Sequence, residues 1–212
     1  MKLFLDTADV KSVKARLSTG LISGITTNPT LIFKSGRHPQ TVYQELIKLG
    51  IDDISMEVMG DSEDELFKNA MGHVKSYAEK ATIKLPCTID GLKACKRLSA
   101  INVRTNVTLI FSPAQAILAS LAGATYISPF IGRMDDNSLD GMKLINDISN
   151  TLRSDTKILA ASIRDPQSVG TAFDLGADIC TVPTDVFDRM YNHVLTDKGL
   201  EQFERDNAAT SD

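Results

Sequence analysis

The sequence is poor in the residues that build disulfide frameworks and metal centres. It has three cysteines, none in a C-x-x-C pair, and three histidines that lie far apart. Sparse cysteines of odd number predict reduced thiols and a cytoplasmic protein. Metal-binding H-E-x-x-H runs and nucleotide-binding P-loop or G-x-G-x-x-G runs are missing as well. We therefore expect neither a bound metal nor a cofactor.

Long apolar runs and excess positive charge are also missing. No segment approaches the roughly 18 consecutive apolar residues of a membrane helix. Asp6 interrupts the first apolar run, so no signal-peptide core is expected. Lys and Arg total 23 against 27 Asp and Glu, which gives a formal net charge of −4. This balance argues against broad electrostatic binding to nucleic acids or anionic membranes.

Short apolar runs rich in β-branched residues recur along the whole chain. Their spacing of about 25 residues suits one strand, one helix and two short loops. Helix starts lie between them: a capping box at 62–65 opens a helix through about Glu79, and capping residues precede Pro113 and Pro166. The eight predicted strands cover residues 2–6, 22–27, 53–58, 81–86, 104–110, 126–130, 157–162 and 178–183.

Eight strand–helix units predict an α/β fold, a closed (β/α)₈ TIM barrel near the short end of the usual barrel length. An open, doubly wound sheet is the alternative. The chain has no Pro-, Ser- or Gly-rich linker, so we expect one domain over residues 1–212. Residues 197–208 carry Leu200 and Phe203 on one side and predict an additional C-terminal helix, packed on its own barrel or on a neighbouring subunit.

Polar side chains interrupt the apolar strands at regular positions. Because alternate residues of a barrel strand face opposite sides, such positions are informative. Lys84 lies between Ile83 and Leu85, and Glu57 lies between two apolar residues as well. Most of these positions lie near strand C-termini, where TIM-barrel active sites occur. The pattern also selects Asp6, Thr26, Asn28, Asn106, Thr108, Ser128, Phe130, Ser162 and Arg164.

Two hypotheses account for Lys84. In the first it forms a structural ion pair with Asp6 or Glu57, because buried charges are costly unless they are paired. In the second it is a nucleophile, because burial disfavours the ammonium and a neutral amine forms Schiff bases with carbonyl substrates. Nearby carboxylates would favour the charged form. The second hypothesis therefore expects both carboxylates to be offset from the amine or linked to it through water.

Five blocks, in order along the chain, resemble the transaldolase family. The similarity extends from Leu3 to the tail at Leu200, and the length resembles the small subfamily that also contains fructose-6-phosphate aldolases. Any one block is moderately specific, whereas five in order are strong. The blocks are Gly24–Ile32, Thr82–Leu92, Asn106–Phe111, Ile127–Arg133 and Ala160–Arg164.

The resemblance implies aldol chemistry without a metal, in a transaldolase of the pentose phosphate pathway. Lys84 would form a Schiff base with the C2 ketone of sedoheptulose 7-phosphate or fructose 6-phosphate. Asp6 would act as the base on the C4 hydroxyl, and Glu57 and Thr108 would hold a proton-shuttling water. The implied substrate-binding residues are Asn28, Asn106 and Ser128 for the dihydroxyacetone unit, Arg133, Arg164 and Ser162 for the phosphate, and Thr26 and Phe130.

Two positions favour a transferase over an aldolase. Fructose-6-phosphate aldolases resemble this chain but carry Gln at the Glu57 position and Tyr at the Phe130 position. A carboxylate can exchange protons with a bound water, whereas an amide cannot. The alternatives are an aldolase that releases free dihydroxyacetone and a noncatalytic sugar-phosphate-binding barrel. An aldolase of the deoxyribose-phosphate type is disfavoured, because its lysine lies on a later strand and the sixth strand here lacks one.

The resemblance also implies an assembly. Family members of this size often form rings of five stacked into decamers, with C-terminal helices crossing between neighbours. A homo-oligomer is therefore expected, with sugar phosphates as the other partners. Asp135, Asp136 and Asn137 are expected to form a solvated loop that follows Arg133 and borders the site.

Overall fold

A closed parallel barrel forms the centre of the molecule. The computed structural model describes residues 1–210, and its strands close in chain order from the first to the eighth. The predicted TIM barrel is confirmed, and the open sheet is wrong because β1 pairs with β8. The strands are β1 (Lys2–Asp6), β2 (Ile22–Thr26), β3 (Ile54–Glu57), β4 (Ala81–Pro86), β5 (Thr105–Ile110), β6 (Tyr126–Pro129), β7 (Lys157–Ala160) and β8 (Ile179–Val182).

Helices surround the barrel, and a 3₁₀ turn (Ala78–Lys80) precedes β4. The predicted C-terminal helix is present and begins three residues early. Among residues 1–210, none of the helices combines the length and apolar character needed to cross a membrane. The α-helices are α1 (Val10–Leu17), α2 (Pro29–Ser35), α3 (Pro39–Lys48), α4 (Glu63–Tyr77), α5 (Ile89–Ser99), α6 (Pro113–Leu121), α7 (Ile131–Asp136), α8 (Gly141–Thr151), α9 (Pro166–Asp174), α10 (Thr184–Arg189) and α11 (Val194–Ala209).

The helix starts follow the capping residues seen in the sequence. Ser62 accepts a hydrogen bond from the backbone N–H of Glu65 at the start of α4. Ser112 and Asp165 cap α6 and α9 in the same way, each followed by proline at the first helical position. These side chains satisfy backbone donors that a helix leaves unpaired, which fixes where each helix begins after its strand.

Two apolar cores hold the barrel. The larger lies between the strands and the helices, and the smaller fills the barrel interior around Phe4, Leu159 and Ile179. Gly24 lies against the Phe4 ring, and a Cβ at this position would come within 2.5 Å of Phe4 Cζ. A side chain at position 24 would therefore displace Phe4, which packs edge-to-face with Tyr126 below the polar half of the barrel.

A buried hydrogen-bond network holds the N-terminal end of the barrel. The Asp53 carboxylate accepts hydrogen bonds from Thr82 Oγ1 at 2.7 Å, Tyr126 OH at 2.7 Å and an Arg104 guanidinium nitrogen at 3.0 Å. Burial and the Asp53 carboxylate raise the pKa of Tyr126, so its phenol remains a donor. Each polar group in this network has a partner, which removes the cost of burying it.

Strand register brings the polar residues to one level. Glu57 pairs with Lys84, and Lys84 pairs with Asn106 across the next strand. Asp6 pairs with Thr26 on the other side of the barrel. These residues face inward near the C-terminal ends of their strands. The register therefore assembles a polar layer above the smaller apolar core.

Candidate active site

Lys84 lies at the centre of the polar layer. The residue is only 4% exposed. Its Nζ donates a hydrogen bond to the backbone carbonyl of Thr27 at 3.1 Å and lies 3.2 Å from Glu57 Oε2. The Phe130 ring lies on another side of the amine, with 6.0 Å between Nζ and the ring centroid. The amine is thus buried inside the barrel with a carboxylate in direct contact.

This contact corrects one expectation from the sequence. The nucleophile hypothesis expects the carboxylates of Asp6 and Glu57 to be offset from the Lys84 amine or linked to it through water. For Glu57 this expectation is wrong, because its carboxylate contacts the amine directly. The side chains of paired residues on adjacent strands lie about 5 Å apart at Cβ, which lets a long amine and a carboxylate meet. The direct contact places an acid–base group within proton-transfer distance of the amine.

Hydroxyl groups hold the Asp6 carboxylate in place. Thr26 Oγ1 donates to Asp6 Oδ1 at 2.7 Å, and Thr181 Oγ1 lies 2.7 Å from the Thr26 hydroxyl. Burial raises the pKa of Asp6 above its ordinary value, while the charge of Lys84 and the Thr26 hydrogen bond act in the opposite direction. A raised pKa makes the carboxylate a stronger base than a solvated aspartate.

An open cavity of about 130 Å³ lies above the amine. We call it the substrate cavity. It combines one buried amine, one carboxylate, several hydroxyls and a guanidinium, so its walls suit a polyhydroxylated anion. It is lined by Asp6, Thr26, Asn28, Lys84, Ser128, Phe130, Arg133, Ala161, Ser162 and Thr181. Eight of the twelve residues that the sequence analysis selected are among these.

Two further predicted residues lie next to the cavity and are buried. Asn106 donates to Ser55 Oγ at 3.1 Å and accepts from Ser128 Oγ at 2.7 Å, so it orients Ser128 from below. Thr108 Oγ1 is buried and, among residues 1–210, has no hydrogen-bond partner. Buried hydroxyls are normally bonded, so Thr108 is suited to hold a water or a substrate oxygen.

Asn28 serves two purposes at the cavity wall. Its side-chain oxygen accepts from the backbone N–H of Leu31 at 2.9 Å and caps α2. That bond fixes the orientation of the amide and leaves its NH₂ group as a donor toward the cavity. The loop after β2 thus presents Asn28 to a bound hydroxyl.

The two predicted phosphate arginines differ in position. Arg133 lines the cavity, with its guanidinium carbon 5.0 Å from the centroid of the Phe130 ring. Arg164 forms a two-point ion pair with Asp136 instead. Asp135 and Asp136 belong to the last turn of α7, so the expectation of a loop at 135–136 is wrong, although both residues are exposed as expected. Asn137 caps that helix.

Sequence reasoning missed several contributors to the site. Thr181 lines the cavity, and its place between Cys180 and Val182 in β8 is the same alternation that selected the other residues. Thr27 contributes a backbone carbonyl, which side-chain patterns do not show. Asp136 was expected to border the site, but its contact with Arg164, 28 residues away in the chain, has no local signal.

Comparison with known proteins agrees with this arrangement. A family model described as transaldolase/fructose-6-phosphate aldolase matches residues 3–212. The chain belongs to the transaldolase/fructose-6-phosphate aldolase family. This match confirms the resemblance carried by the five sequence blocks. As a family member, the chain is an enzyme of the transaldolase type.

Relatives of similar length support the same family. A protein named "Probable transaldolase" from Caulobacter vibrioides is 48% identical, with 99% of this chain and 98% of the relative covered. A protein of the same name from Nitrosopumilus maritimus is 44% identical, with 97% and 94% covered. Among solved structures, a thiamine phosphate pyrophosphorylase from Pyrococcus furiosus aligns with a TM-score of 0.56 at 18% identity, covering 85% of each chain. This last similarity concerns the barrel fold alone.

Proposed function

We propose that this transaldolase-family enzyme transfers a dihydroxyacetone unit through a Schiff base on Lys84. The donor would be sedoheptulose 7-phosphate or fructose 6-phosphate, and the acceptor an aldose phosphate of the pentose phosphate pathway. One observation carries the proposal: the buried Lys84 amine has a carboxylate on one side, 3.2 Å away, and the substrate cavity on the other. A purely structural ion pair would not need that cavity. The same observation favours a catalyst over a noncatalytic sugar-phosphate-binding barrel.

The first step is imine formation. Glu57 takes a proton from Lys84, and the neutral amine adds to the C2 ketone to give a carbinolamine. Glu57 then returns a proton to the hydroxyl at C2, which leaves as water while the iminium forms. The buried Thr108 hydroxyl is suited to hold that water. The iminium is the electron sink for the next step.

The second step breaks the C3–C4 bond. Asp6 takes the proton of the C4 hydroxyl, the C4–O bond becomes a carbonyl, and the electron pair of the C3–C4 bond moves toward the iminium. An aldose phosphate leaves, and an enamine of dihydroxyacetone stays on Lys84. Addition of an acceptor aldehyde reverses these movements, with Asp6 giving its proton to the new hydroxyl. Hydrolysis of the imine then releases the product.

The remaining polar residues support binding. Asn28 and Ser128 present donors to the hydroxyls of the three-carbon unit, and Asn106 orients Ser128. Arg133 and Ser162 face the cavity and suit a phosphate. We propose that Arg164 joins them by exchanging Asp136 for the phosphate dianion, which offers a stronger acceptor for the same two donors.

A transfer assay tests this function. Fructose 6-phosphate with erythrose 4-phosphate is expected to give sedoheptulose 7-phosphate at least about tenfold faster than fructose 6-phosphate alone gives free dihydroxyacetone. The reason is that Glu57 and Phe130 match the transferase pattern, in which the enamine waits for an acceptor. Enzymatic assays for both products, with Glu57→Gln as the comparison variant, measure the ratio. Efficient cleavage without an acceptor would contradict the transferase and favour the aldolase.

We also propose that the chain is one catalytic domain, located in the cytoplasm. Closure of all eight strands into one barrel supports the first point. The free thiols of Cys87, Cys95 and Cys180 support the second, because disulfides are rare in that compartment.

The C-terminal helix supports a homo-oligomer of the kind seen in the family, a pentamer or a decamer. Among its described side chains, α11 has none that is buried. Phe203 is 70% exposed and Leu200 is 55% exposed. A sixteen-residue helix without tertiary packing is marginal by itself, so contact with a neighbouring subunit would explain its order.

Polar substitutions on α11 are expected to weaken that assembly. Replacing Leu200 and Phe203 by serine removes two side chains whose burial stabilises by roughly 1.5–3 kcal/mol each. We expect sedimentation velocity to show a shift toward smaller species at micromolar protein. Gln202→Ser, on the same helix, is the matched control and should sediment like the unmodified protein. If the double variant and the control sediment alike, α11 does not hold the assembly.

A further inference from the structure

We propose that Glu57 exchanges water and protons with bulk solvent through a second opening, separate from the substrate cavity. This opening is a groove between α2, α3 and α4, which we call the side groove. The inference rests on the proposed Schiff base at Lys84 and adds a route that water takes during imine formation. The side groove is bounded by Phe33 of α2, Tyr43 of α3, and Asn69, Gly72, His73 and Ser76 of α4.

Glu57 lies between the two spaces. The lining of the substrate cavity, within residues 1–210, includes Lys84 but not Glu57. Glu57 lines the side groove instead, whose volume is about 800 Å³. Its side chain is 16% exposed, against 5% for the side chain of Lys84. One end of the carboxylate thus contacts the amine while its solvent-facing part lies toward the side groove.

The barrel wall has few strand pairings next to Glu57. Pairing of β2 with β3 ends at Thr26 and Ser55, with a last backbone bond from Thr27 N–H to the Ser55 carbonyl at 3.1 Å. Pairing of β3 with β4 continues further, through Glu57 and Lys84. The Thr27 carbonyl is directed to Lys84 rather than to β3. Glu57 therefore lies beyond the last pairing of β2 with β3, on the side of the barrel that faces the side groove.

Polar groups line the side groove outward from Glu57. Tyr43 OH lies 3.4 Å from Thr27 Oγ1, and the Tyr43 ring contacts His73 edge-to-face. Asn69 and Ser76 add an amide and a hydroxyl further along the same groove. Groups of this kind hydrogen-bond to water, so the groove is suited to carry it to the carboxylate.

A bound ketose phosphate makes such a route useful. Its C2 lies at Lys84 and its phosphate near Arg133, so it occupies the length of the substrate cavity. Dehydration of the carbinolamine breaks the C2–OH bond, and the hydroxyl leaves as water with the proton from Glu57. That water is released beside Glu57, behind the substrate. The side groove lets it mix with bulk water before the imine is hydrolysed.

Oxygen exchange distinguishes this route from exit past the substrate. During transfer in oxygen-18 water, hydrolysis of the imine places a water oxygen on C2 of the product ketose. If water mixes through the side groove, that oxygen carries the label. If the groove is blocked, the released water stays behind the three-carbon unit, which remains on Lys84 after the aldose phosphate has left, and it adds back unlabelled. Transfer then continues at its normal rate while labelling falls.

Gly72 offers a place to block the groove. A Cβ at this position would meet nothing within 4 Å, so a side chain can enter without displacing the fold. We suggest Gly72→Cys, treated with a bulky aromatic thiosulfonate that forms a disulfide and is removed by a thiol reductant. The unmodified protein given the same treatment controls for the three native cysteines. Gly72→Ala and Gly72→Trp form a permanent pair of small and large variants.

The expected result is a loss of labelling without a loss of transfer. With the adduct in place, oxygen-18 at C2, measured by mass spectrometry per transfer event, should fall at least fivefold, and reduction should restore it. The transfer rate should stay within twofold. Equal labelling before and after modification would overturn the side-groove route. Equal loss of transfer and labelling would overturn it too, because it would indicate general damage or obstruction. If the untreated protein forms no borohydride-trapped adduct at Lys84 and incorporates no label, the proposed Schiff-base mechanism is wrong, which is a different outcome from the loss of the side-groove route alone.

Discussion

Replacing Lys84 by methionine is expected to abolish transfer, to below about one part in 10⁴ of the normal rate, the scale on which loss of a covalent nucleophile acts. Methionine has a similar length but no amine, so the iminium that accepts the electron pair cannot form. Arg133 and Ser162 remain in place, so binding of a ketose phosphate should change by less than about tenfold. The variant thus separates chemistry from binding.

Reductive trapping measures this directly. Borohydride added with fructose 6-phosphate should leave a stable adduct on the peptide that contains Lys84, seen by mass spectrometry, and none in Lys84→Met. Because removal of one partner of a buried ion pair costs about 3–5 kcal/mol, Lys84→Arg serves as a second variant that keeps the charge beside Glu57. Lys93→Met, on the exposed face of α5, is the matched control. An adduct on another lysine, or turnover in Lys84→Arg, would contradict the assignment of Lys84 as the residue that forms the Schiff base.

Replacing Asp6 by asparagine is expected to slow transfer by about 10²- to 10⁴-fold, the contribution typical of a general base. The amide fills the same space and can still accept from Thr26, but it cannot take the C4 hydroxyl proton. Imine formation depends on Glu57, so borohydride trapping at Lys84 should persist. Retained trapping with lost cleavage would identify Asp6 as the base for C3–C4 cleavage. Loss of both would place it in imine formation instead.

The pH profile of the same pair of proteins gives a second readout. Burial raises the pKa of Asp6, so its base form is lost at a higher pH than that of a solvated aspartate. In the unmodified enzyme, kcat/KM should therefore fall as the pH drops through this raised pKa. Asp6→Asn should lack that acidic limb, and its residual rate should be flatter in that range. An unchanged acidic limb in the variant would assign the limb to another group.

Much of the fold follows from local sequence patterns. Each strand was predicted to within two residues at either end, because apolar β-branched runs and capping residues act within a few positions. The inward direction of Lys84, Asp6 and Glu57 followed from alternation, which is a geometric property of any strand. Their assembly at one level depends on register, and only closure of the barrel fixes it.

Contacts between distant side chains could not be predicted in this way. The direct contact of Glu57 with Lys84 depends on how two long side chains turn within a closed barrel. The pairing of Arg164 with Asp136 depends on how α7 packs against the end of β7. The side groove arises from the packing of three helices around the short β2–β3 pairing. Each depends on interactions that are far apart in the chain.

The fit of Phe4 against Gly24 divides the barrel interior by depth. Below the Lys84 amine the size of each side chain is restricted, because an added carbon at position 24 would collide with the Phe4 ring. Above the amine, charge and hydrogen-bonding capacity determine which side chains suit the substrate cavity. Substitutions in the lining of the substrate cavity can therefore change which sugars are accepted. The apolar core around Phe4 meanwhile keeps the strands at the spacing on which every such variant depends.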